Sequence, residues 1–96
     1  MAVLSDLAPK DVFSYFEKLC AVPHGSGNTK IISDLCAGFA RDLGLRHRQD
    51  GANNLVIWKD GTPGYENAAP VILQGHMDMV CAKTEDCAKD MAKEGL

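Results

Sequence analysis

Ten residues, Pro70-Val-Ile-Leu-Gln-Gly-His-Met-Asp-Met79, constrain this chain more than any others. The apolar run Val71, Ile72, Leu73 stops at Gln74 and Gly75, and His76 and Asp78 follow with one residue between them. A short, continuous apolar run bounded by a turn signal reads as a strand covered on both faces. Its end would deliver an imidazole and a carboxylate to the rim of a sheet, where open α/β sheets bind ligands. Residues i and i+2 of an extended chain point to the same side, so the two side chains can meet. A metal-ligating histidine usually gives its second ring nitrogen to a carboxylate that fixes the tautomer. The segment therefore points to half of a metal site, with His76 as ligand and Asp78 as the group that holds it. The alternative is a polar strand end that simply meets solvent.

The bulk properties exclude several classes. At 96 residues the chain is one domain at most, near the small end for a self-sufficient core. Apolar residues at 46% and charged residues at 24% are globular rather than disordered composition. A net charge of −3 without a Lys/Arg run offers no phosphate-binding stripe, so no nucleic-acid partner is expected. The longest apolar stretch, Ala68 to Leu73, contains Pro70 and is far too short to span a bilayer. Met1-Ala-Val-Leu-Ser-Asp6 has neither a basic n-region nor an apolar h-region, which argues for a cytoplasmic protein with reduced thiols.

Along the chain, Pro9 suits the first position of a helix. Val12, Phe13, Phe16, Leu19 and Cys20 then recur at helical spacing as one apolar stripe, and Pro23 ends the element. Pro23-His-Gly-Ser-Gly-Asn28 is a turn-rich loop in which Ser26 and Asn28 are candidate N-caps. A second amphipathic helix is predicted over about Thr29 to Leu43, with Ile31, Ile32, Leu35, Cys36, Phe39, Ala40 and Leu43 on its face and Gly44 closing it. Leu45–Gln49 and Leu55–Lys59 read as a hairpin, since Asp50-Gly-Ala-Asn-Asn54 readily supplies positive φ. After the polar loop 60–69 come the strand at Val71–Gln74 and a Lys/Glu/Asp-rich tail with a short solvated helix ending near Gly95.

Other groups carry weaker readings. His24 could approach a substrate, but a surface turn residue is the simpler account. Gly25-Ser-Gly27 precedes a helix, yet it follows no strand and lacks phosphate-loop spacing. His47 lies on the exposed side of a strand, and Trp58 packs the hairpin. Cys20 and Cys36 sit on apolar helix faces as small hydrophobes. A zinc knot of His76, Cys81 and Cys87 is conceivable, although its spacings match no structural-zinc pattern.

Val71-Ile-Leu-Gln-Gly-His-Met-Asp-Met-Val80 closely resembles the first metal motif of the M20-type metallopeptidases, and in particular of the aminoacyl-histidine dipeptidases. Leu19-Cys-Ala-Val-Pro-His-Gly-Ser-Gly-Asn28 and Asp50-Gly-Ala-Asn-Asn-Leu-Val-Ile57 resemble two further stretches of the same family, so the likeness runs from about Leu7 to Leu96. The resemblance implies a two-metal hydrolase of dipeptides, usually with zinc and with manganese or cobalt as alternatives. It implies an α/β fold, here the N-terminal part of a zinc-peptidase-like sandwich: two helices, a hairpin and a buried strand in an incomplete sheet. Residues 1–96 would be the N-terminal portion of a metallopeptidase catalytic domain, with no second domain.

By motif position His76 would ligate one metal and Asp78 would be the catalytic aspartate that holds its imidazole. Paired metals would activate a bridging water beside a carboxylate general base. The family also needs a bridging aspartate, a pair of glutamates, a further acidic ligand and a distal histidine, all beyond the His-x-Asp motif. Glu85, Asp86, Asp90 and Glu94 have no apolar strand to position them and are not assigned as ligands. The expectation is a truncated piece of a dipeptidase, inactive alone, whose parent takes dipeptide substrates. The alternative is a small non-catalytic binding domain that keeps the fold. The burial demand of Val71–Leu73 predicts marginal stability or self-association through exposed sheet.

Overall fold

In the computed structural model, which describes residues 3–96, four elements follow one another: α1 (Lys10–Cys20), α2 (Lys30–Asp42), β1 (His47–Gln49) and β2 (Leu55–Ile57). The α/β class, both helices and the hairpin agree with the sequence reading. Pro9 lies one position earlier than expected, as the N-cap of α1, where its carbonyl accepts the Phe13 N–H at 3.3 Å.

α2 is the centre of the molecule. Ile32, Ala37, Ala40 and Ser33 are its buried residues, and the helix packs on both strands. The end of α2 is closed by a paired motif: Gly44 N–H donates to Arg41 O and Leu45 N–H to Ala40 O. That geometry needs a left-handed residue after the cap, and Gly44 supplies it with φ of +70° at no steric cost. The start of α2 differs from expectation. Thr29, not Ser26 or Asn28, is the N-cap, and it makes no side-chain capping bond.

The strands pair antiparallel in the register His47↔Ile57, Arg48↔Val56, Gln49↔Leu55. Asp50 organises the connecting loop, its carboxylate accepting the Ala52 and Asn54 N–H groups and the Asn54 amide. Asn53, rather than Gly51, takes the positive φ (69°). Its carbonyl then accepts the Ser33 hydroxyl at 2.8 Å, while Gln49 donates to Ser33 Oγ at 2.7 Å. One buried serine thus bolts the hairpin to α2. Trp58 continues the ladder through its N–H to Arg46 O, and the Arg46 guanidinium lies 4.5 Å from the ring centroid.

Three expectations are corrected. No residue of α1 is buried: Val12 and Phe16 are more than half exposed, and the contact with α2 is an edge-to-face pair of Tyr15 and Phe39 at 5.0 Å. Val71, Ile72 and Leu73 form no strand and are 83%, 88% and 94% exposed. A strand needs neighbours to satisfy its N–H and C=O groups, and among the described residues none lies beside them. The tail forms turns at Thr84–Cys87 and Asp90–Glu94, not a helix. Its last residue docks on α1, Leu96 N–H donating to Cys20 O at 2.7 Å. The Cα radius of gyration is 15.9 Å, against about 13 Å for a compact chain of this size. No helix among the described residues is long and apolar enough to cross a membrane.

Candidate functional site

The His76/Asp78 segment is held where it is by the loop between the helices. Met79 N–H donates to His24 O at 2.9 Å, and Gly25 and Met79 form an isolated parallel bridge. Gly25 is buried there, and a Cβ on it would meet Cys81 Sγ, so a larger residue would require the exposed Cys81 side chain to turn away. The backbone pairing brings residue 78 beside the loop that carries Ser26.

The two residues singled out from the sequence do meet. His76 Nδ1 lies 2.9 Å from Asp78 Oδ1 and 2.8 Å from the Asp78 carbonyl oxygen. Both partners are acceptors, so Nδ1 carries the proton and, in the neutral ring, Nε2 keeps the lone pair. The His76 side chain is exposed while Asp78 is about a third exposed. The second carboxylate oxygen, Asp78 Oδ2, accepts the Ser26 hydroxyl at 2.6 Å. That bond, followed by the one from His76, holds the Asp78 carboxyl below the usual carboxylate range. Together with Thr29 and the 52–55 loop, residues 74–78 line an open groove of about 350 Å³.

Ser26 is the residue that sequence reasoning missed. Read as a helix cap, it belongs to this hydrogen-bonded chain, and no local signal distinguishes the two uses of a serine before a helix. His24 is half-buried, its Nδ1 bound to Val22 O, and it contributes to the site through its backbone. His47 is likewise tied locally, to Leu45 O at 3.2 Å. Cys81, Cys87 and His76 are not gathered: no group of three or more His, Cys, Asp or Glu able to hold a metal occurs among the described residues. All four cysteines are free. In the tail, Glu94 accepts the Asp90 N–H and Asp90 faces Lys93.

Over all of its 96 residues the chain is 36% identical to the cytosol non-specific dipeptidase of Escherichia coli (strain K12). It superposes on the crystal structure of aminoacylhistidine dipeptidase from Vibrio alginolyticus with a TM-score of 0.89 and 35% identity, over 96% of this chain. The chain is similar throughout to part of a dipeptidase. It spans about a fifth of each relative, 20% of the first and 19% of the second. No family model matches it. The dipeptidase likeness read from three motifs is therefore shown by sequence and by structure, and the alternative of a small non-catalytic binding domain that keeps the fold is not favoured.

Proposed function

We propose that the 96 residues are the N-terminal part of the catalytic domain of a cytosolic metallo-dipeptidase of the M20 type that hydrolyses Xaa-His and related dipeptides. The observation that carries this reading is the imidazole of His76, protonated at Nδ1 against Asp78 and open at Nε2. The arrangement suits a first metal ligand and its orienting carboxylate. Zinc is the metal proposed, and when bound it would activate a water and polarise the scissile carbonyl. The donor set fits one ligand only, since no closed cluster exists among the described residues. A single histidine holds zinc weakly, so the chain by itself is inactive in this reading. In a working site His76 would bind the metal, and Asp78 would fix the ring and raise its basicity.

A chimera tests this. The 96 residues replace the matching fifth of the Escherichia coli dipeptidase, and cleavage of β-alanyl-histidine is measured with added zinc. The expected result is hydrolysis by the chimera, a loss of at least a hundredfold in His76→Ala, and no hydrolysis by the 96-residue chain alone. A folded chimera whose activity is indifferent to His76→Ala would overturn the assignment.

A further inference from the structure

We infer that Ser26 is a positioning residue for His76, acting through Asp78: its hydroxyl anchors one carboxylate oxygen so that the other holds the imidazole with Nδ1 protonated and Nε2 open. The use of Nε2 for a metal rests on the reading above; the anchoring itself is a property of the chain. The path is continuous, from Ser26 Oγ to Asp78 Oδ2 at 2.6 Å and from Asp78 Oδ1 to His76 Nδ1 at 2.9 Å.

Three observations make this more than a chance contact. Ser26 does not cap α2, whose N-cap is Thr29, so its hydroxyl is not committed to the helix. The loop that carries Ser26 is fixed on both sides, by Asn28 N–H donating to Gly25 O at 2.9 Å and by the Gly25–Met79 bridge. Finally, the His76 side chain is exposed, and besides the carboxylate its Nδ1 meets only the Asp78 carbonyl oxygen, at 2.8 Å, among the described residues. An exposed His–Asp pair loses much of its attraction to water and to side-chain freedom. A third point that fixes the carboxylate plane removes part of that freedom. The Pro23-His-Gly-Ser-Gly-Asn28 loop, which already holds the segment through its backbone, thereby becomes the clamp of the site through a side chain as well.

The test is the tautomer of His76 in the metal-free 96-residue chain, read from its imidazole ¹⁵N and ¹³Cδ2 shifts at a pH where the ring is neutral. Wild type should show the Nδ1–H form in excess. Ser26→Ala should move the ring toward the Nε2–H form that free histidine prefers, while Ser26→Thr, which keeps the hydroxyl, restores it. The amide shifts of Ser33 and Asn53 report that the α2–hairpin unit is intact in each variant. Should Ser26→Ala fail to fold, Ser26→Cys, similar in shape and a weaker donor, replaces it with the same expected direction. An unchanged tautomer ratio in a folded variant lacking the hydroxyl overturns the inference. Zinc titration of the metal-free chimera by calorimetry separates the two readings: Ser26→Ala should weaken binding about fivefold, consistent with loss of one modest hydrogen bond. Absence of any zinc binding by the folded chimera would sink the metal reading and leave the tautomer result to decide the role of Ser26.

Discussion

Along α2 one isoleucine, a serine and two alanines are sealed from solvent, while Val71, Ile72 and Leu73 stand almost fully exposed further along the chain. The less apolar region is the better buried. The difference lies in the backbone. α2 satisfies its own N–H and C=O groups, the hairpin pairs its strands, and Ser33 joins the two through Asn53 and Gln49. Residues 70–78 make no backbone hydrogen bond to another segment among those described, and pairing resumes only at Met79. Apolar side chains are buried only where some surface can cover them without orphaning peptide groups.

The contrast is most sharply tested by a pair of truncations. Ile32→Ala, at a residue 2% exposed, should cost about 3 kcal/mol in urea unfolding. Ile72→Ala should change stability by less than about 0.5 kcal/mol. Equal effects would mean that Val71–Leu73 is covered in solution. Next in size, Ser33→Ala should cost about 2 kcal/mol, because Asn53 O and the Gln49 amide lose a buried partner. If it is neutral, the serine bolt does not hold the hairpin.

Self-association through the apolar run, expected from the sequence, would appear as a sedimentation mass that rises with concentration and returns to the monomer in Leu73→Glu. A monomer at every concentration refutes it. Thiol chemistry gives a further contrast. Burial pushes the Cys36 thiol up, whereas Cys81 is exposed. Iodoacetamide should therefore label Cys81 first and Cys36 on the order of tenfold more slowly.

The smallest effect is in the hairpin loop, where bonds from the Asn54 side chain and backbone hold the Asp50 carboxyl below its ordinary 3.8. A carboxyl depressed by folding stabilises fully above its ordinary value, and that contribution is lost as pH falls through the lower, folded value. The Ala52 and Asn54 amide shifts should accordingly titrate with a midpoint below 3.8. A midpoint at or above it would show that the loop bonds do not form.

Much of the fold was legible because its signals are local. Helical spacing over 31–40, the glycine after α2 and the Asp-Gly…Asn-Asn loop each act within a few residues. Which face of α2 is buried was not legible. Ile31 looked like core and is half exposed, while polar Ser33 is fully buried because the hairpin arrives on its side. Within the site, His76 and Asp78 announced themselves by spacing and by the Gly75 turn. Ser26 could not, since its partner lies 52 positions away in the chain.

The sequence by itself determined the element types, the hairpin turn and the pairing of an imidazole with a carboxylate two residues on, because these depend on short-range sterics and on side-chain direction. Tertiary structure alone decided that Ser33 bolts the hairpin, that Ser26 holds Asp78, and that the most apolar run of the chain is exposed. Those outcomes depend on which distant surfaces meet, and nothing in a local stretch of residues encodes whether a neighbour is there to meet it.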